Sequence, residues 1–255
     1  MHDHVDGGIE HDLPRLLTRR RALGGLLGLS GAALLTGCGG GRTSGAAAGE
    51  IPPETGGPFP GNGSNGANVL TEAGVVRRDI RTSVGDASGT AQGVPLTIRL
   101  TVLELSGTSS TPLEGAAVYL WHADREGEYS LYTGAARAQN YLRGVQVADA
   151  DGLLEFTSVF PGCYDGRWPH AHVEVYPTLQ AATGGSRPLR TTQLALPQQA
   201  CEQAYATTGY AQSARNLSRV SLDTDLAFRD GYALQLARTT RSAGGGWTAE
   251  LAVPV

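Results

Sequence analysis

Short runs of β-branched, aromatic and aliphatic residues, separated by glycine- and proline-containing turns, dominate this chain from residue 94 onward. The runs cover 94–105, 116–122, 145–148, 153–160, 170–176, 220–228, 233–237 and 247–253. Asp151-Gly152 separates two of them and is a strong hairpin signal. Helical periodicity is weak, and 197–206 is the best short candidate for a helix. This pattern predicts an all-β fold, an antiparallel β-sandwich with long loops.

The first 38 residues have the features of an export signal. Three arginines at 19–21 precede an apolar, glycine- and leucine-rich run that ends at Leu35. A basic start, a short apolar stretch and small residues before a cleavage point are typical of such signals, and the paired arginines resemble a twin-arginine signal. The run is too short and too rich in glycine for a transmembrane anchor. We therefore expect an exported protein.

Residues 35–38, Leu-Thr-Gly-Cys, resemble a lipobox, in which Cys38 becomes the lipidated first residue of the mature chain. A plain signal peptide with a chance cysteine is the alternative. The protein would then be either lipid-anchored in the cell envelope or secreted. Residues 39–68 are rich in Gly, Ser, Ala, Pro and Asn, which predicts a flexible tether. The remaining 69–255 are enough for one domain with a sizeable core.

Charge and cysteine content restrict the possible functions. The 20 basic residues are all arginine, and against 24 acidic residues the net charge of -4 gives no case for nucleic-acid binding. Apart from Cys38, the chain has only Cys163 and Cys201. Outside the cytoplasm, two remaining cysteines favour a disulfide. The alternative is that Cys163 is a thiolate metal ligand, which would favour zinc.

Residues 162–172 contain several side chains that can bind a metal ion or an anionic group. His170 and His172 are two positions apart at the start of a predicted strand, so both imidazoles leave the same face and form half of a metal site. Tyr164 and Arg167 lie in the same segment. Further candidates come from elsewhere in the chain: Tyr129 in a polar loop upstream, and Gln193 downstream.

Seven stretches, among them Trp-His-Ala-Asp-Arg-Glu-Gly-Glu-Tyr-Ser and Gly-Arg-Trp-Pro-His-Ala-His, occur in the order typical of one enzyme family. They cover 53–59, 77–80, 121–130, 141–152, 160–164, 166–172 and 191–194. On these residues the chain resembles the intradiol ring-cleavage dioxygenases, the family of catechol and protocatechuate dioxygenases, and specifically its secreted branch. The resemblance extends over nearly the whole predicted domain. It implies a β-sandwich whose long loops carry a metal site.

The resemblance implies that Tyr129, Tyr164, His170 and His172 bind a non-haem Fe(III). Phenolates are hard anionic donors that favour ferric iron, and imidazole also suits iron. The alternative is a ferrous or zinc site made of His170, His172 and Glu174. These three positions lie along one strand and fan out from any common point, which argues against that alternative.

Arg167, by the same resemblance, stabilises negative charge on the substrate, Gln193 lies near substrate and oxygen, and Tyr164 is a ligand that can also accept a proton. The implied reaction cleaves a catechol-type ring between its two hydroxyl-bearing carbons with O2 and gives a muconate-type diacid. Several catechols fit this chemistry, and Trp168 is expected to narrow the pocket. No oligomeric state follows from the sequence. A different hypothesis is an exported β-sandwich binding or structural domain that has lost catalysis.

Overall fold

The computed structural model describes residues 49–255, which contain nine strands and three short α-helices. The strands are β1 (Pro95–Ser106), β2 (Ser109–Pro112), β3 (Ala117–Trp121), β4 (Arg143–Val147), β5 (Leu153–Val159), β6 (His170–Tyr176), β7 (Arg190–Ala195), β8 (Arg238–Arg241) and β9 (Trp247–Pro254). The helices are α1 (Leu179–Thr183), α2 (Gln198–Tyr205) and α3 (Ala211–Leu217), and two 3₁₀ turns cover Val69–Thr71 and Gly134–Ala138. The predicted helix at 197–206 is confirmed by α2.

The first sheet is built around the long strand β1. One edge of β1 pairs with β5 over its first part and with β2 over its last four residues, both antiparallel. Its other edge pairs with β9 in parallel, and β9 pairs with β8. The prediction of a purely antiparallel fold is wrong for the β1–β9 pair. A parallel pair needs a long crossover connection, and here the chain between β1 and β9 includes the whole second sheet.

The second sheet has the order β4-β3-β6-β7, and all its pairs are antiparallel. In its register Trp121 lies beside His172, and His172 lies beside Gln193. All seven residues of β6 are buried. Alternate residues of a strand point to opposite faces, so β6 directs Val173 and its apolar neighbours to one face and the histidines to the other. The polar face of this sheet is therefore covered as well.

One large hydrophobic cluster contains side chains from both sheets. It includes Ile98 and Phe156 of the first sheet and Leu120 and Val173 of the second, each at most 1% exposed. Fully burying such a side chain contributes about 1.5–3 kcal/mol. The strand-rich, two-sheet architecture confirms the predicted all-β class; stacking of the sheets as a sandwich stays a prediction.

Two of the predicted strands are wrong. Residues 220–228 form turns, and 233–237 touch the second sheet only through an isolated bridge between Ala195 and Leu236. Phe228 of this segment is buried with Trp168 in a small hydrophobic cluster, and other apolar side chains of the segment pack against that cluster rather than within a sheet. The Asp151-Gly152 turn is present, with Gly152 at φ 73°. It leads from β4 in one sheet to β5 in the other, so it does not close a hairpin.

The predicted tether extends too far toward the domain. Ile51 is fully buried, and its N–H donates to the carbonyl of Pro254. The Glu54 N–H donates to Thr191 O, and the Thr192 hydroxyl donates to Pro52 O. Backbone hydrogen bonds thus hold this proline-rich segment on the domain. The export signal, Cys38 and residues 39–48 lie outside the described residues. Between 49 and 255, no helix has the length and apolar character needed to cross a membrane.

Candidate metal centre

Four side-chain donor atoms converge beside β6. Tyr129 Oη lies 3.2 Å from His172 Nε2, 3.4 Å from His170 Nε2 and 3.5 Å from Tyr164 Oη. Tyr164 Oη lies 3.5 Å from His170 Nε2, and the two Nε2 atoms are 3.2 Å apart. Most of these distances are long for hydrogen bonds. Ligands about 2.1 Å from one metal ion, at tetrahedral angles, are roughly 3.4 Å apart. The spacing therefore fits a shared metal ion.

The two histidines are oriented by the strands around them. The Trp121 indole stacks on the His172 ring with centroids 4.7 Å apart and planes 4° from parallel. His170 Nδ1 is hydrogen-bonded to the carbonyl of Trp168. Since a carbonyl only accepts, Nδ1 carries the proton and Nε2 keeps its lone pair, as in most metal-binding histidines.

Burial lowers the pKa of both histidines, and nearby positive charge lowers each further. Arg167 is the positive neighbour of both histidines, and a proton on His170 would lower the pKa of His172 further. Both imidazoles are therefore neutral at ordinary pH. The neutral ring is the form that binds a metal.

Tyr129 is carried by a compact loop that follows β3. Asp124 Oδ1 accepts the N–H groups of Glu126 and Glu128, 3.1 and 2.9 Å away. Gly127 has φ 89°, and a Cβ placed there would lie 3.1 Å from the Cβ of Tyr164. The glycine thus lets the loops of both tyrosines approach each other.

Arg143, at the start of β4, supports the loop that carries Tyr129, a role that the sequence did not reveal. It is buried, and its guanidinium donates to Ser130 Oγ (2.9 Å) and Ser130 O (2.8 Å). It also donates to Phe59 O and Pro60 O, each 3.0 Å away. Arg143 thus joins the segment that contains Phe59 and Pro60 to Ser130, the residue after Tyr129. The Tyr129 ring packs against that of Phe59, with ring centroids 5.2 Å apart.

Arg167 lies at the edge of the four-atom cluster and is 1% exposed. Its Nη1 lies 3.4 Å from Tyr164 Oη, and its Nη2 donates to Gln193 Oε1 at 2.6 Å. Gln193 Nε2 donates in turn to Thr55 O at 2.9 Å. The predicted residues Arg167 and Gln193 are thus brought together beside the predicted ligands.

Asp225 completes this network and was missed by sequence reasoning, because it falls in a run interpreted as a strand. Its Oδ2 accepts Arg167 Nε at 2.9 Å and the Trp168 N–H at 2.7 Å, and its Oδ1 accepts the Ala227 N–H at 2.8 Å. Burial by itself would raise the pKa of Asp225. The charge of Arg167 and these hydrogen bonds outweigh it and lower the pKa. Asp225 is therefore ionised.

Two other polar residues near the strand do not join the cluster. Glu174 accepts hydrogen bonds from Asn62 and from the Tyr176 hydroxyl, so the alternative triad with His170 and His172 is not formed. His122 is hydrogen-bonded to the Ala123 carbonyl and to Ser158 Oγ, so its role is structural. Nowhere in 49–255 do three or more His, Cys, Asp or Glu side chains form a group that could hold a metal. A metal here needs the tyrosines.

The predicted disulfide between Cys163 and Cys201 is wrong: both are buried free thiols. Cys163 Sγ lies 3.3 Å from the Arg167 carbonyl, and Cys201 Sγ lies 3.8 Å from the Leu196 carbonyl. Each thiol is thus directed at a backbone acceptor in the hydrophobic cluster. Burial raises the pKa of Cys163 to about 12. Among residues 49–255, Cys163 also does not combine with His170 and His172 into a group that could hold a metal.

The sequence is similar to known ring-cleaving enzymes. A family model described as Dioxygenase matches residues 74–190. Chlorocatechol 1,2-dioxygenase of Rhodococcus opacus is 35% identical over 101 residues, covering 33% of this chain and 38% of that protein. Catechol 1,2-dioxygenase 1 of Acinetobacter lwoffii is 42% identical over 72 residues, covering 28% of this chain and 22% of that protein. The chain thus spans well under half the length of these curated relatives.

Solved structures share the fold. The intradiol ring-cleavage dioxygenase from Tetranychus urticae has a TM-score of 0.56 at 22% identity, over 72% of this chain and 87% of that one. The dioxygenase domain of a dioxygenase–carbohydrate-binding fusion protein from Streptomyces sp. SirexAA-E has a TM-score of 0.51 at 25% identity, over 81% of this chain and 98% of that one. The similarity to the first extends to the fold alone.

Proposed function

We propose that this chain, a member of the intradiol ring-cleavage dioxygenase family, cleaves a catechol-type ring between its two hydroxyl-bearing carbons. The co-substrate is O2, and both of its atoms end in a muconate-type diacid. The observation that carries this proposal is the convergence of two phenol oxygens and two imidazole nitrogens, with five of their pairwise distances between 3.2 and 3.5 Å. We also propose that the two sheets stack as a sandwich, since one hydrophobic cluster contains residues of both.

The ion that fits this donor set is a non-haem Fe(III), held by Tyr129, Tyr164, His170 and His172. Two phenolates supply negative charge that favours the ferric state, and two neutral imidazoles complete the set. When bound, ferric iron supplies Lewis acidity, which lowers the pKa of the substrate hydroxyls and so activates the ring.

The two tyrosines differ in exposure, which supports different roles for them. Tyr129 is 2% exposed and enclosed by Phe59, whereas Tyr164 is half-buried. We assign Tyr129 as the phenolate that stays bound. Tyr164 lies on the accessible side, where its phenolate oxygen can accept the proton that a substrate hydroxyl loses.

Arg167 and Gln193 supply the electrostatics on the substrate side. Arg167 is always charged, and its buried guanidinium is held at a fixed place beside Tyr164 Oη. A preorganised cation in a water-poor site stabilises negative charge that develops on the ring during the reaction. Gln193 holds that cation through its Oε1 and borders the same space.

The test uses the purified full chain loaded with iron. We expect a burgundy to red protein, because tyrosinate-to-ferric charge transfer absorbs visible light, and we expect consumption of one O2 per catechol cleaved. A panel of catechols, followed by oxygen uptake and product absorbance, identifies the substrate. A protein that stays colourless with added iron and cleaves none of them would refute the proposal.

Matched variants separate the metal site from general damage. His172→Ala removes a cluster histidine, whereas His122→Gln removes an equally buried histidine whose partners are Ala123 O and Ser158 Oγ. We expect iron and colour to be lost from the first variant and retained by the second. Equal iron content in both would contradict the proposed ligand set.

We also propose that the protein is exported and anchored through a lipid on Cys38, on the basis of the arginine-led apolar segment and the Leu-Thr-Gly-Cys sequence. Labelling of cells with a radioactive fatty acid tests this directly. Label should appear in the wild-type chain and be absent from Cys38→Ser, and an unlabelled wild-type chain would argue for a plain signal peptide.

A further inference from the structure

Asp225 lies in a part of the chain with no regular secondary structure, yet it is one of the most completely buried acidic residues of the described chain, at 0% exposure. Its carboxylate accepts three hydrogen bonds: Arg167 Nε, the Trp168 N–H and the Ala227 N–H. The last two are backbone groups, so they fix the carboxylate relative to the chain on both sides. Asp225 is therefore a rigid acceptor rather than a mobile counter-ion.

The guanidinium of Arg167 is bound along two of its edges. Nε donates to Asp225, and Nη2 donates to Gln193 Oε1. With these bonds formed, Nη1 is directed toward Tyr164 Oη, 3.4 Å away. Because a guanidinium is planar, two bonds to fixed acceptors determine both its position and the tilt of its plane. The direction of Nη1 thus depends on Asp225.

The buried charge of Arg167 also requires the Asp225 carboxylate. Removing one partner of a buried ion pair leaves an uncompensated charge, which is strongly destabilising. A buried Arg167 without a carboxylate would turn toward water or toward another acceptor. Asp225 is 0% exposed and Arg167 1% exposed, so the pair is shielded from solvent.

We propose that Asp225 is the positioning residue of this site: its carboxylate holds the Arg167 guanidinium in the orientation that meets the negative charge of the substrate. Asp225 acts through Arg167 and touches no substrate itself. This inference rests on the proposed function, because it assigns a role within that reaction.

The test compares Asp225→Ala and Asp225→Asn in the iron-loaded full chain. The alanine variant removes both carboxylate oxygens of residue 225, and we expect kcat to fall about 10²-fold, the size of effect that a misplaced catalytic group causes, with little change in KM. The asparagine variant keeps one carbonyl oxygen for Arg167 Nε, but a neutral acceptor bonds more weakly. We expect it to rescue part of the loss and to stay about tenfold below wild type.

Asp223→Asn is the matched control, since Asp223 is exposed on the same segment and distant in sequence by only two positions. It should keep wild-type kcat. Each variant is also measured in an Arg167→Gln background. If Asp225 acts through Arg167, replacing Asp225 in the Arg167→Gln background causes no further loss of kcat.

Two readouts do not depend on turnover. The tyrosinate–iron band should persist in both Asp225 variants, because the four donor atoms are intact. In a crystal structure of iron-free Asp225→Ala, the Arg167 guanidinium should leave hydrogen-bonding distance of Gln193 Oε1. A merely structural role would lower the melting temperature without moving the guanidinium.

Three results would overturn the inference: an Asp225→Asn kcat equal to that of Asp223→Asn, losses that multiply in the Arg167→Gln background, or loss of the visible band in both Asp225 variants. The comparison of Asp225→Asn with Asp223→Asn remains decisive even if Asp225→Ala does not fold. A wild-type protein with neither colour nor ring cleavage is a different outcome; it refutes the proposed function and the inference with it.

Discussion

Asp124→Asn tests how burial affects the ionisation of a carboxyl group in the loop that carries Tyr129. Asp124 is 5% exposed; its Oδ1 accepts two backbone N–H groups, and its Oδ2 accepts the Tyr141 hydroxyl at 3.1 Å. Asparagine can keep all three bonds, because its carbonyl replaces Oδ1 and its NH₂ can donate to the Tyr141 oxygen. The substitution therefore removes a titrating charge while the shape of the loop is preserved.

The size and sign of the effect follow from the pKa of this carboxyl. Burial raises the pKa of Asp124 from 3.8 to about 6, even though its hydrogen bonds favour the ionised form. The folded protein thus binds this proton more tightly than the unfolded chain. The resulting stability is fully present below pH 3.8 and is lost as the pH rises through about 6. Two pKa units correspond to about 3 kcal/mol in the free energy of unfolding.

We therefore expect the free energy of unfolding of Asp124→Asn to increase, relative to that of wild type, by up to about 3 kcal/mol when the pH rises from about 4 to about 8. The assay is urea unfolding across that range, on iron-free proteins so that metal binding adds no pH dependence of its own. Asp149→Asn is the control, because Asp149 also accepts two backbone N–H groups but in an exposed turn. A difference between wild type and Asp124→Asn that is flat, or that changes in the opposite direction, would refute the reasoning.

Three further outcomes are expected. Tyr164→Phe should bind iron, shift the visible band and lower kcat at least tenfold, whereas Tyr129→Phe should weaken iron binding itself; absorption spectra and metal analysis of the pair distinguish the two roles. His172→Ala should contain no iron by elemental analysis, and full activity in such a protein would refute the site. Arg143→Met should destabilise the fold by about 3 kcal/mol or more in urea unfolding, because the Phe59 and Ser130 carbonyls lose their donor; the exposed Arg137→Met should change stability by less than about 0.5 kcal/mol.

Local periodicity was sufficient to predict part of this molecule. The placement of His170 and His172 on one face follows from the two-residue repeat of a strand, and most of the strands follow from alternation and turn residues. Tyr129 and Arg167 required the family motifs, since no local pattern distinguishes them from a loop aromatic and a surface charge. In each case the informative signal lay within a few residues of the position it described.

The remaining features depend on contacts between distant segments. Asp225 meets Arg167 across more than fifty residues, and nothing beside it in the sequence indicates a buried acceptor. The composition of 50–62 is typical of a tether, but its backbone carbonyls are acceptors for Arg143 and Thr192. The disulfide was inferred from the expected compartment, whereas packing in the hydrophobic cluster determines where the two thiols point.

The parallel pairing of β1 with β9 has a consequence for how the chain folds during synthesis. Leu96 pairs with Trp247, so one edge of β1 has no partner until the ribosome has added nearly all the described residues. The second sheet is different, because β3 and β4, and likewise β6 and β7, are neighbours along the chain. Pairings between distant segments form slowly, and an unpaired strand edge invites aggregation meanwhile. We therefore expect the sheet that carries the histidines to form early, and β1 to be the segment that a chaperone protects until β9 arrives.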